Sequence, residues 1–225
     1  MPNVKPLPYC IHTKAIRKTF ISIKGIYFQA EICNELITWI VPHTHAYAPP
    51  ADVDFRVMST FADFYANLVG FVNYQLYKRE NLVYPPQCVI TENDSTAQDE
   101  KLSSLLFNLV KSETEEQDEL EQSEPEPVTQ VFKDKVFYIN REVPSEPLHI
   151  LIRSCGGEVV TDVEDGRINY QIVDRGSGVE MKHSAKRTYL QPQWVFDCVN
   201  AVLLMPLNKY LPSSELPAHA FFHKT

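Results

Sequence analysis

Residues 191–206 read QPQWVFDCVNAVLLMP, and they hold one of the chain's two tryptophans with a cysteine four positions later. Pro192 suits the first position of a helix, where its missing N–H leaves nothing unpaired. On that helix Trp194, Val195, Cys198, Val199, Val202 and Leu203 share one side, with Asp197 and Asn200 away from it, and Pro206 stops it. Side chains four apart on a helix point the same way. A buried free cysteine behaves as a small hydrophobe, and a tryptophan adds a large apolar area with one N–H to satisfy. A nucleophilic cysteine needs a basic or histidine neighbour, and this segment supplies none. Trp194 and Cys198 are therefore expected to build a core and not a reaction site.

Upstream, the elements that would pack on this helix follow in order. VFYI (136–139) is a short apolar run. Ser145 precedes a helix carrying Leu148, Leu151, Ile152 and Cys155 at one-face spacing, closed by Gly156. EVV (158–160), YQIV (170–173) and TYL (188–190) read as three more strands. Strand–helix–strand alternation on this scale predicts a small parallel α/β sheet with helices on its faces. Gly156–Gly157 follows a helix and enters a strand, the reverse of a phosphate-binding loop. Gly156 is expected to be the helix C-cap.

The N-terminal half has a different pattern. IYFQAEIC alternates, with Ile26, Phe28, Ala30 and Ile32 on one face, and LITWIV follows, so 26–33 and 36–41 predict a hairpin. Asp52 or Asp54 then caps a long helix. Its apolar stripe comprises Val57, Met58, Phe61, Phe64, Tyr65, Leu68, Phe71, Val72 and Leu76. Pro85–Pro86 ends the unit. One hairpin is too little to cover such a stripe, which implies either part of a larger domain or a partner over it. Between the halves, residues 91–127 hold twelve Asp and Glu against Lys101 and Lys111. Such a segment buries too little apolar surface to offset its ordering entropy. Within it Leu102, Leu105, Leu106, Leu109 and Val110 recur at helical spacing, marking a short docking helix over about 98–112; the competing expectation is a transient helix in a solvated tail. The expected organisation is an N-terminal domain at 1–88, an acidic linker at 89–128, a second domain at 129–218 and a tail at 219–225.

Composition bounds the function. The net charge of −8 is carried by the acidic segment, since residues 1–90 and 128–225 are close to neutral, and no strongly basic nucleic-acid footprint stands out. The five cysteines (10, 33, 88, 155 and 198) form no framework, which fits free thiols in a reducing compartment. No apolar run reaches the roughly 18–20 residues that span a bilayer, and the first twenty residues lack a signal peptide's apolar centre. His43 and His45 are loop histidines without the further ligands zinc needs, and His219 and His223 stand in the tail. No nucleophile motif or local triad occurs, so no catalytic residue, metal ligand or cofactor site is named.

VFYI, the helix ending SCGGEVV, QIVD and the final WVFDC together resemble a BRCT domain. NREVP, IRSCGGEVV, QIVDR and YLQPQWVFDCVNAVLLMP, joined by FISIKGIYFQAE, ITWIVPH, DVDFRVMSTFADFYANLVGFVNYQLY and YPP, resemble the Pescadillo family over about 14–88 and 131–218. Relative to that family the sequence reads as truncated at both ends, lacking a long basic region and a charged tail. The resemblance implies a four-stranded parallel BRCT sheet with flanking helices after an α+β segment of hairpin plus long helix. It also implies a non-enzymatic scaffold of large ribosomal subunit biogenesis, in nucleolus and nucleoplasm, needed for pre-rRNA processing. The implied partners are the WD-repeat block-of-proliferation protein and its WD-repeat companion in a PeBoW-type complex, with pre-ribosomal particles and pre-rRNA. No membrane, cofactor or small-molecule substrate is implied. Many BRCT domains bind phosphate through a Ser/Thr–Gly pair at the end of the first strand, where this chain has Asn140–Arg141. Arg141, Lys182, Lys186 and Arg187 are the candidate cations for RNA or partner contact, and Trp194, Cys198, Gly156 and Gly157 the structural core. A phosphopeptide-binding signalling module and an inactive truncated paralogue are the competing readings.

Overall fold

The computed structural model describes residues 7–43, 54–86, 130–174, 186–212 and 214–218. The expected acidic linker, with its candidate helix at 98–112, and the tail at 219–225 lie outside them. The described residues divide into two units: 7–12 with 54–86, and all the others.

The first unit contains α1 (Leu7–His12) and α2 (Arg56–Arg79). Asp54 starts α2 by accepting the Arg56 N–H on Oδ1 at 2.9 Å. The helix stops where Asn81 turns left-handed (φ 54°). The Asn81 N–H then reaches the Lys78 carbonyl and the Leu82 N–H that of Tyr77, which satisfies the last carbonyls of the helix. Leu82 and Tyr77 are buried beside that turn. The end therefore comes before Pro85–Pro86.

The second unit holds two sheets. Strands β1 (Ile16–Ser22), β2 (Gly25–Ile32) and β3 (Glu35–Pro42) form an antiparallel meander in that order. The hairpin is the expected one, turning through Cys33 and Asn34 at φ 53° and 65°, the left-handed pair that tight hairpins require. Strand β1 is additional. Its IRKTFIS lacks clean alternation because the register slips between Ile16 and Lys18. The other sheet is built from β4 (Val136–Ile139), β5 (Glu158–Val160), β6 (Tyr170–Ile172) and β7 (Thr188–Leu190), all parallel, in the order β5-β4-β6-β7. Helices α3 (Ser145–Ser154) and α4 (Gln193–Ala201) pack against each other, and a short turn at Leu207–Lys209 follows.

The two glycines after α3 serve different needs. Gly156 is left-handed at φ 85°, and its N–H bonds the Arg153 carbonyl while that of Gly157 bonds Ile152. At Gly157 a Cβ would stand 2.6 Å from Ile152 Cγ2 and 3.0 Å from Phe132 Cβ, so only glycine fits. Helix α4 departs from its expected form. It ends at Ala201, and Val202 turns left-handed at φ 58° with Leu203 half exposed, so neither joins the core. Asp197 is not on a solvent side either: every residue from Trp194 to Val199 is buried, the pattern of a helix covered all round.

Candidate functional site

The cover on α4 comes from three directions. Toward the parallel sheet, Trp194 meets Tyr170, Phe132 and Phe137 at ring-centroid distances of 4.9, 5.8 and 6.4 Å. Its indole N–H donates to the Met205 carbonyl at 3.0 Å, and the Met205 N–H reaches Cys198 Sγ at 3.2 Å. Two side chains one turn apart thus satisfy both backbone groups of one residue, which explains why the helix must end early and fold back. Burial pushes the Cys198 thiol up to about 12, and that of Cys155 likewise, so neither is a thiolate nucleophile.

The segment beyond Met205 covers a second side. Tyr210 donates its hydroxyl to Asp197 Oδ2 at 2.9 Å, and burial followed by that carboxylate pushes the phenol well above its ordinary range. Gln191 Nε2 donates to the Leu211 and Ser214 carbonyls, and Gln193 Nε2 to that of Pro217. Asp197 is inside because it has this partner.

The third side meets the meander. Asn200 Oδ1 accepts the Thr19 N–H at 2.9 Å, and Asn200 Nδ2 donates to the Thr19 carbonyl at 2.9 Å. Strand β1 is the edge of its sheet. A carboxamide carries the same donor and acceptor as a peptide group, so Asn200 closes that edge as one residue of a further strand would. Asn200 was expected on the solvent side, and no local pattern marks it, since its partner is 181 residues away.

The candidate cations fall differently. Arg141 and Lys186 are exposed, while Lys182 lies outside the described residues. Arg187 belongs to the fold: its guanidinium donates to Gln171 Oε1 at 3.4 Å and to the Asp165 carbonyl at 3.3 Å. Gln171 Nε2 donates in turn to Asn140 Oδ1 at 2.8 Å, and Asn140 Nδ2 to Glu142 Oε1 at 3.0 Å. Both ends of the Asn140 amide are thus engaged, with the Glu142 carboxylate beside it. The sequence reading missed Gln171, which looks like any strand residue until the register sets Tyr138 and Tyr189 on either side of it. His43 Nε2 is within 2.9 Å of the Ser22 carbonyl. Among the described residues no group of three or more His, Cys, Asp and Glu side chains could hold a metal, and no helix is long and apolar enough to cross a membrane.

The family model for the Pescadillo N-terminus matches residues 5–124, and that for the BRCT domain matches 130–211. The first match runs through most of the segment expected to be linker. A Pescadillo homolog of Culex quinquefasciatus is 40% identical over 259 residues, which cover 96% of this chain and 42% of that protein. The chain thus spans less than half the length of that relative. Among solved structures, the C-terminal BRCT domain of human XRCC1 matches at TM-score 0.34 and 18% identity, over 38% of this chain and 95% of its own. The second XRCC1 BRCT domain matches at 0.32 and 21%, over 40% and 95%.

Proposed function

Since the chain belongs to the Pescadillo family, we propose that it is a non-enzymatic scaffold of large ribosomal subunit biogenesis, acting in pre-rRNA processing from the nucleolus and nucleoplasm. The reading rests on one observation, that the chain carries the Pescadillo N-terminal domain as well as a BRCT domain. A signalling BRCT protein has no use for the first. The partners it calls for are the two WD-repeat proteins of a PeBoW-type complex, together with pre-ribosomal particles. Scaffolding also suits the chemistry of the described residues, whose buried thiols and phenols are shifted toward their neutral forms.

Phosphopeptide binding is the weaker reading, because the Asn140–Glu142 pair puts a carboxylate where a phosphate would arrive. Arg141 and Lys186 are the candidate cations that lie exposed at the surface, where RNA or a partner could reach them. Reversing both, as Arg141→Glu with Lys186→Glu, should lower co-sedimentation with large-subunit precursors several-fold without changing the melting temperature. Arg187 is omitted because its reversal would break the bonds to Gln171 and Asp165. Affinity purification of the tagged chain from cells, with identification of bound protein and RNA, tests the whole reading. Recovery of the WD-repeat partners and pre-rRNA is expected; recovery of neither would sink it.

A further inference from the structure

The antiparallel meander has two edges, and the fold treats them differently. Along β1 the Asn200 carboxamide takes up the outward N–H and carbonyl of Thr19. Along β3 no group among the described residues plays that part. The turn at Cys33 and Asn34 fixes which of its backbone groups point outward. Ile32 and Glu35 flank that turn as a hydrogen-bonded pair, so Glu35, Ile37, Trp39 and Val41 bond β2. Leu36, Thr38 and Ile40 therefore turn their N–H and carbonyl groups away from the sheet. The edge is also apolar, with Leu36, Ile37 and Ile40 exposed by 62%, 45% and 39%. From Leu36 to Pro42 it carries no charged side chain, and its register with β2 runs without a bulge. Charges and bulges are what keep exposed edges from pairing with another strand. Pro42 is the last residue of β3 and blocks nothing before it.

We propose that β3 pairs antiparallel with β3 of a second copy, making one continuous sheet with three strands from each. Self-complementarity chooses this occupant. In an antiparallel pair, outward groups must face outward groups. One two-fold register pairs every N–H and carbonyl of Leu36, Thr38 and Ile40. It sets Thr38 against the partner's Thr38, Leu36 against the partner's Ile40 and Ile37 against the partner's Trp39. Moving the axis to Ile37 leaves Ile40 facing the left-handed Asn34 of the turn. Moving it to Trp39 sets Leu36 against Pro42, which has no N–H to give the Leu36 carbonyl. The side chains agree with the register centred on Thr38, since Thr–Thr and aromatic–aliphatic neighbours are favourable cross-strand pairs. Glu35, the one charge of the strand, falls opposite the partner's Val41 and not opposite its own copy. Because Asn200 closes the β1 edge, growth stops at two copies, a closed dimer instead of a fibre. A contact one strand wide belongs with the small, exchanging interfaces. The inference does not depend on the ribosome-assembly reading.

Sedimentation equilibrium of the full chain from about 1 to 100 μM should show a monomer passing into a dimer. Over the same range, amide exchange at Leu36, Thr38 and Ile40 should slow about tenfold, while Ile37 and Trp39, already bonded to β2, stay unchanged. Position 38 faces itself across the axis, so Thr38→Lys alone and Thr38→Glu alone should each leave the chain monomeric. Mixing the two variants should restore a dimer containing one of each. Thr38 is exposed, and unchanged exchange in the parallel sheet is the folding control. A chain that stays monomeric at every concentration would overturn the proposal. So would a dimer that persists in Thr38→Lys, or a mixture that fails to pair.

Discussion

Trp194 and Cys198 grip Met205 by its carbonyl and its N–H, so their contribution has a packing part and a hydrogen-bonding part that mutation can separate. Trp194→Ala removes the ring from among Phe132, Phe137 and Tyr170 and should destabilise the unit by about 3–5 kcal/mol in urea unfolding. Trp194→Phe keeps most of the ring contact but leaves the Met205 carbonyl without its donor, at a smaller cost of about 1–3 kcal/mol. A wild-type midpoint for Trp194→Ala would mean the ring is not core. The core role of this pair was legible from spacing alone. The shared grip on Met205 was not, because it depends on how the chain leaves the helix.

Helices α3 and α4 each carry one strained or buried feature with a measurable consequence. His149 on α3 is held down to about 4 by burial, with the Arg153 charge adding to the effect. An unfolded chain takes up this proton near pH 6.5 and the folded one only near 4, so the unfolded state binds more protons between those values. The His149 contribution is therefore full above about 6.5 and lost progressively as the pH falls toward 4. His149→Gln should flatten that part of the stability profile, read as the difference in melting temperature between pH 7 and pH 5. At the end of α4, Val202 is a β-branched residue held left-handed at φ 58° with its side chain half exposed. Left-handed backbone costs such a residue about 1–2 kcal/mol, and glycine loses part of that gain to its unfolded entropy. Val202→Gly should stabilise by about 0.5–1 kcal/mol, seen as a rise in melting temperature. The expected continuation of the helix through Val202 and Leu203 followed apolar periodicity, which cannot register that the chain must turn back to Trp194.

The meander and the parallel sheet form one unit although the acidic segment separates them in sequence, and Asn200 with Thr19 is the polar joint between them. Asn200→Asp keeps the acceptor for the Thr19 N–H but sets a carboxylate against the Thr19 carbonyl, and should loosen the joint by about 1–3 kcal/mol. Faster amide exchange along β1, with α3 unaffected, is the expected reading; unchanged exchange would show that apolar contact alone holds the sheets together. The amino-acid sequence alone was enough for the parallel sheet, the hairpin, the long helix and the family, because periodicity, caps and turn residues act over a few positions. Tertiary structure decided that α4 is covered on every side, that Asp197 and Asn200 face inward, that Arg187 is spent within the fold, and that α2 packs through Asn73 and Tyr77. The physical reason is distance along the chain: a buried carboxylate or carboxamide is stable only beside its partner, and for Asn200 that partner is 181 residues away.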